Sequence, residues 1–218
     1  MAMHLREPES IATQSFRIIR QHLDEAGYQF EPSPAAIIER IIHSTADFEF
    51  ASLTRISDGA IEAGVSALQR GCAIITDVQM VLAGLDGQRL AAFQCSAHCF
   101  VRDPQVQARA STEGVTRSAM GMRLAAEQGL LNGGIVAVGN APTALYEVIA
   151  LSQRGYAPAL IIGVPVGFVG TVEAKTALME LTGVPWIVTT GYKGGSTIAV
   201  ATVNALLRLA SGDTNSTL

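Results

Sequence analysis

An arginine and a histidine stand three residues apart in the stretch "RIIHSTADFEF" (residues 40–50), which also contains Asp47. In a helix, Arg40 and His43 would share one face. An imidazole can give or take a proton near neutral pH, and a guanidinium binds carboxylates. The charge of Arg40 would make His43 a weaker base and a better acid. The pair therefore indicates either acid–base chemistry on an acidic ligand or a polar margin on a packing helix.

Five short apolar runs predict the strands that would position this pair. Helical patterns lie between most of them, and strand–helix alternation favours a mainly parallel sheet covered on both faces. Before the strands, residues 10–26 and the isoleucine stripe that ends near His43 predict an N-terminal helical segment. We therefore expect a three-layer α/β/α fold with a mainly parallel five-stranded sheet. The predicted strands are 72–76, 91–95, 134–138, 159–163 and 185–189, and the later helices are 112–128, 142–154, 173–181 and 195–209.

Composition suggests an oligomer without a nucleic-acid partner. Of 218 residues, 49% are hydrophobic and 16% are charged, against about 25% charged in a typical domain. So little polar surface favours a homo-oligomer, and a net charge of −4 provides no general basic field for nucleic acid. The length fits one domain, residues 1–218, with an ordered core at about 10–209 and a flexible tail at 211–218.

Cysteine usage and hydropathy indicate a cytoplasmic protein. Cys72, Cys95 and Cys99 are an odd number without a CxxC pair, as expected for reduced thiols. We predict no metal site, because Cys95, His98 and Cys99 would lack a fourth ligand for a closed zinc site. We also predict no membrane span, because Gly and Pro interrupt the longest uncharged stretches.

Four loops follow the carboxyl ends of predicted strands, and three of the four are rich in glycine and other small residues. In parallel sheets, ligands bind beyond the carboxyl ends of the strands, and the helix N-termini there attract anions. These loops predict a binding rim, although tight turns alone would also explain them. Neither a Walker nor a Rossmann motif is present, but Lys193, Gly194, Gly195 and Ser196 could hold a carboxylate or a phosphate. The loops are "TDVQMV", "GNAPTAL", "GVPVGFVG" and "GYKGGST".

Several segments together resemble the precorrin-8X methylmutase family, which includes the cobalt-precorrin-8 methylmutases, over residues 10–209. They are "RIIHSTADFEF", "DVQMVLAG", "TRSAMGM", "GNAPTAL", "GVPVGFVGTVEAK" and "GVPWIVTTGYKGGSTIAVATVNAL". The resemblance implies a flavodoxin-like fold, a homodimer with active sites near the interface, and no cofactor. It implies an isomerase of cobalamin biosynthesis that moves a methyl group from C-11 to C-12 of precorrin-8X or cobalt-precorrin-8. The product would be hydrogenobyrinate or cobyrinate.

The resemblance also assigns roles. His43 matches the histidine that handles a proton. The position of Asp77 directly after a strand, apart from the resemblance, leaves it open between a ligand-edge residue and a helix cap. A non-catalytic tetrapyrrole carrier and a nucleotide- or phosphate-binding enzyme remain the alternatives. The expected substrate-binding residues are Ser15, Arg40, Arg117, Ser118, Asn140, Lys193, Gly194, Gly195 and Ser196.

Overall fold

A computed structural model describes residues 8–212 of the chain, which form a mixed α/β fold around one sheet. The tail predicted at 211–218 lies outside the described residues from 213 onward. Within the described part, no helix is long and apolar enough to cross a membrane. The strands there are β1 (Thr54–Ile56), β2 (Ala73–Thr76), β3 (Ser96–His98), β4 (Ile135–Val138), β5 (Leu160–Gly163) and β6 (Trp186–Thr189).

The strands of residues 8–212 lie in the order β1-β6-β5-β4-β2-β3. Strands β2 to β6 are parallel, and β1 pairs antiparallel with β6. The predicted five-stranded sheet is therefore wrong, because β1 was missed. The sequence of β1, "TRI", is three residues long and lies at the sheet edge with one partner strand, so it needs no continuous apolar run.

One predicted strand is also misplaced. Residues 91–95 form the end of a helix and the following turn, and the edge strand β3 begins at Ser96. Asp86 caps that helix by accepting hydrogen bonds from the N–H groups of Gln88 and Arg89. Ala91 and Ala92 are exposed at the end of that helix, while Phe93 and Cys95 are partly buried against the core in the turn. The more polar "SAH" segment forms the edge strand.

Helices cover both faces of the sheet. Helices α1, α2, α4 and α11 pack on one face and α8, α9 and α10 on the other. The remaining helices are short or peripheral. Within the described residues the helices are α1 (Pro8–Glu25), α2 (Pro32–Thr45), α3 (Phe50–Leu53), α4 (Ala60–Gln69), α5 (Gln79–Ala83), α6 (Gly87–Ala92), α7 (Pro104–Glu113), α8 (Arg117–Glu127), α9 (Pro142–Gln153), α10 (Thr171–Glu180) and α11 (Ser196–Ala210).

The buried strands supply side chains to both layers of the core. Along β2, Ile74 belongs to the core under α11 and Ile75 to the core under α9; along β4, Ile135 and Val136 divide in the same way. Each apolar run is therefore continuous because alternate residues point to opposite faces and both faces are covered. This packing fixes the carboxyl ends of β2, β4, β5 and β6 along one edge, where the loops meet.

Candidate active site

Helix α2 carries both Arg40 and His43 because its opposite face is buried. Its stripe of Ile37, Ile38, Ile41 and Ile42 is almost fully inaccessible, and α2 packs chiefly against α11. Burial of that stripe fixes the rotation of the helix. Arg40 is left half-buried and His43 exposed near the helix end.

The buried aromatic ring of Phe16 supports both functional side chains. The imidazole of His43 stacks on it, with ring centroids 4.8 Å apart and planes at 17°. The guanidinium carbon of Arg40 lies 4.9 Å from the same ring centroid, in a cation–π contact. Phe16 is only 2% exposed, so it is a fixed platform. The neighbouring hydroxyl of Ser15 donates a hydrogen bond to the carbonyl oxygen of Ile11 at 2.8 Å.

Arg40 and His43 open into a cavity of about 220 Å³ between α2 and α11. Among residues 8–212, Arg40 makes no salt bridge to a carboxylate. Burial, with smaller contributions from the charges of Arg208 and Arg89, lowers its pKa to about 10. Burial and then the charge of Arg40 lower the pKa of His43 as well. The described lining is Arg40, His43, Ser44, Asp86, Thr197, Val200, Ala201, Asn204 and Arg208.

Asp77 organises the loop between β4 and α9. Its carboxylate is 1% exposed and accepts hydrogen bonds from the N–H groups of Gly139 (3.0 Å), Asn140 (2.8 Å) and Ala141 (2.7 Å). Burial raises the pKa of Asp77, and these three donors oppose that rise. Asp77 neither caps α5, whose N-cap is Val78, nor lies exposed to a ligand. The N–H groups predicted to bind an anion here are already occupied.

Asp77 also connects α8 to the carboxyl edge of the sheet. Ser118 donates from Oγ to the backbone oxygen of Asp77 at 3.2 Å, while Arg117 and the side chain of Asn140 are exposed. The edge loops also approach each other closely, since a Cβ at Gly139 would lie 2.8 Å from the Cα of Ser196. Arg117, Ser118, Asn140 and Ser196 therefore lie along one rim.

Lys193 lies on this rim but is paired within the chain. Its ammonium contacts the carboxylates of Asp47 and Glu49, the latter at 2.9 Å. The loop thus closes against the segment that follows His43. Lys193 is therefore not a free cation for a phosphate, which weighs against the nucleotide-binding alternative.

A buried lysine sets the conformation of that loop. The ammonium of Lys175 donates to the carbonyl oxygens of Gly191 (2.9 Å) and Lys193 (2.7 Å). Gly194 must be glycine because a Cβ would lie 2.4 Å from the carbonyl oxygens of Val164 and Pro165. The N–H of Gly195 also donates to the oxygen of Val164 at 2.8 Å, so this part of the rim is rigidly built.

Comparison with known proteins decides the family. The family model described as precorrin-8X methylmutase matches residues 10–209. This chain belongs to the precorrin-8X methylmutase family. The family match shows it to be an enzyme of the methylmutase type.

Individual members of the family are similar over nearly their whole length. A cobalt-precorrin-8 methylmutase of Leptospira interrogans is 44% identical over 209 residues, covering 93% of this chain and 94% of the relative. A precorrin-8X methylmutase of Pseudomonas aeruginosa is 38% identical over 208 residues, covering 94% of this chain and 98% of the relative. The crystal structure of a precorrin-8X methylmutase from Thermus thermophilus aligns with a TM-score of 0.86 at 47% identity, covering 94% of this chain and 98% of that one.

Some residues of the candidate site were not predicted. Phe16 is an apolar residue of an amphipathic helix, which carries no functional signal in sequence, and Arg208 lies 165 positions beyond His43. Asp77 could have been suspected from its position directly after a strand, and Lys175 from its match to the family segment. Among the described residues, no three His, Cys, Asp or Glu side chains are grouped to hold a metal ion.

Proposed function

We propose that the chain moves the methyl group from C-11 to C-12 of precorrin-8X or cobalt-precorrin-8, with His43 handling a proton at the macrocycle. The supporting observation is the arrangement of Arg40 and His43 on the ring of Phe16 beside one cavity. The product would be hydrogenobyrinate or cobyrinate, intermediates of cobalamin biosynthesis. A non-catalytic carrier would need Arg40 to bind the carboxylates of the tetrapyrrole, but it would need no titratable group at the position of His43.

The chemistry suits a histidine with a lowered pKa. A sigmatropic methyl shift needs neither a nucleophile nor a hydride, but it needs the conjugated ring in the right tautomer. A proton on a ring nitrogen, or a hydrogen bond to it, can favour that tautomer. Because burial and Arg40 lower the pKa of His43, its protonated form gives up a proton readily and its neutral form predominates near pH 7.

Recognition of the substrate would fall mainly to side chains. The substrate carries acetate and propionate arms, and Arg40 offers a guanidinium without a carboxylate partner in residues 8–212. Along the rim, we propose further contacts from Ser15, Arg117, Ser118, Asn140, Gly194, Gly195 and Ser196. Lys193 would take part only by exchanging Asp47 or Glu49 for a substrate carboxylate.

The assembly and location implied by the family are also proposals. The order of the parallel strands, β3-β2-β4-β5-β6, supports a flavodoxin-like class and a single domain. A homodimer is supported by the apolar side chains of Phe168, Val169 and Tyr192, which are 84%, 90% and 56% exposed at the carboxyl edge. Three free cysteines fit a cytoplasmic location.

The visible absorption spectrum of the protein mixed with precorrin-8X, and separately with cobalt-precorrin-8, tests the function. The methyl shift rearranges the conjugation, so turnover changes the colour. We expect wild type to convert one or both, and His43→Ala to lose roughly 10²–10⁴-fold in rate with binding largely kept. His98→Ala is the matched control, because His98 contacts Ser96 on the edge strand β3, away from the cavity.

Two outcomes would contradict the proposal. Tight binding of both tetrapyrroles without a spectral change would favour the carrier. Normal turnover by His43→Ala would show that another group handles the proton.

A further inference from the structure

The cavity beside His43 holds more positive charge than a single substrate-binding arginine requires. Arg40 from α2 and Arg208 from the last turn of α11 both line it. Arg89 of α6 is close enough to act electrostatically on Arg40. Two chain segments that are distant in sequence thus bring guanidinium groups to this cavity.

The carboxylate in the described lining is Asp86, and it is already used. Its Oδ1 accepts the N–H groups of Gln88 and Arg89 at 3.1 Å, and its Oδ2 pairs with Nη1 of Arg89 at 3.3 Å. Asp86 therefore caps α6 and neutralises Arg89. It leaves the charge of Arg40 without a carboxylate partner.

Asn204 is a scaffold residue. Its Oδ1 accepts the N–H of Asp86 at 2.9 Å, and its Nδ2 donates to the oxygen of Gly84 at 3.0 Å. It ties α11 to the segment before α6. These hydrogen bonds fix the position of α11 relative to Asp86, and therefore the position of Arg208, which lies one turn further along α11.

We propose that Arg208 is a substrate-binding residue that forms, together with Arg40, a subsite for one carboxylate arm of the tetrapyrrole. The proposal rests on the proposed function. A carboxylate between the two guanidinium groups would offset their mutual repulsion and accept their N–H donors. A cavity of about 220 Å³ admits a short acidic arm but not the macrocycle. The ring would then lie outside, over the exposed imidazole of His43.

Titration with the product, hydrogenobyrinate or cobyrinate, tests the subsite without requiring turnover. The variants are Arg208→Gln, Arg208→Lys and, as a matched control, Arg154→Gln at the exposed C-cap position after α9. We expect Arg208→Gln to raise the Kd roughly 10- to 100-fold at low salt and to weaken its dependence on added KCl. Arg208→Lys should restore part of the affinity, and Arg154→Gln should bind like wild type. In turnover, the loss in Arg208→Gln should appear in KM with kcat within a few-fold.

A fully amidated corrinoid separates recognition of the carboxylate from folding. It should bind wild type and Arg208→Gln equally, because it offers no negative arm. A Kd for the acidic product that is unchanged in Arg208→Gln would refute the subsite. So would an equal loss for the acidic and amidated ligands, or a loss confined to kcat. If wild type itself neither binds nor converts any of these compounds, the proposed function fails, which is a different result from a failure confined to the Arg208 variants.

Discussion

Replacement of Lys175 by methionine should loosen the loop that follows β6 and destabilise the fold in a pH-dependent way. Lys175 is 1% exposed, and its ammonium donates to the oxygens of Gly191 and Lys193. The oxygen of Lys193 also accepts from Oγ1 of Thr189 at 3.0 Å. Lys193 in turn contacts Asp47, four residues after His43. The buried cation therefore connects the body of the domain to the segment that follows helix α2.

The magnitude follows from two opposing terms. Two charge-assisted hydrogen bonds are worth roughly 3–6 kcal/mol together. Burial lowers the pKa of Lys175 from 10.5 to about 8, so holding it ionised costs about 3 kcal/mol relative to the unfolded chain. Methionine fills similar space but leaves two carbonyl oxygens without their donor. We expect a net loss of up to about 3 kcal/mol in the free energy of unfolding at pH 7.

The difference in the free energy of unfolding between wild type and Lys175→Met should grow as the pH rises. Between about pH 8 and 10.5, the unfolded chain binds a proton on Lys175 that the folded chain has released. The free energy of unfolding of wild type therefore rises with pH through this window, and Lys175→Met lacks that rise. Groups that titrate alike in both proteins cancel in the comparison.

Urea denaturation followed by far-UV circular dichroism at pH 7.0 and 9.5 measures this effect. Thr189→Val is the matched control, because it removes another donor to the oxygen of Lys193 without removing a charge. Its destabilisation should be independent of pH. If the difference in the free energy of unfolding between wild type and Lys175→Met is the same or smaller at pH 9.5 than at pH 7.0, the reasoning about the buried ammonium is refuted.

Two further predictions concern the histidine and the rim. Arg40→Gln should move the pKa of His43 back toward its usual value, since one of the two causes of its lowering is removed. An NMR titration of the imidazole measures this pKa, with Arg154→Gln as the control. An unchanged pKa would show that burial alone lowers it. Val169→Asp should convert the proposed homodimer to monomer by placing a charge in an apolar interface; sedimentation velocity measures this, and a dimer that persists would place the interface elsewhere.

The buried framework of the fold was predictable because its physical signal is local. The runs that became β2, β4, β5 and β6 are continuous and apolar since both faces of the sheet are covered. The edge strands carried no such signal. β1 and β3 are three residues long and partly polar, and what defines them is a neighbouring strand, which composition does not reveal.

The candidate site divides in the same way. Arg40 and His43 could be identified because three residues of helix place them on one face. Phe16 and Arg208 belong to the site only because α1 and α11 pack against α2, a relation that no sequence spacing encodes. The pairing of Lys193 with Asp47 is equally non-local. Residue types in the rim loops suggested hydrogen-bond donors for an anion. They did not show which of these donors are already bonded to other groups of the protein.

The rim uses its buried charges to position backbone groups, and the proposed recognition of anions falls to arginines. Asp77 takes up three N–H groups of one loop, and Lys175 takes up two carbonyl oxygens of another. Each buried charge thus holds backbone groups that a flexible loop would expose to water, which keeps the rim in one conformation before a ligand arrives. In the proposed function, anionic arms would then fall chiefly to Arg40, which makes no salt bridge to a carboxylate in the described residues. In the proposed function, a protein with a net charge of −4 would bind an acidic tetrapyrrole because Arg40 and Arg208 both line one cavity beside His43.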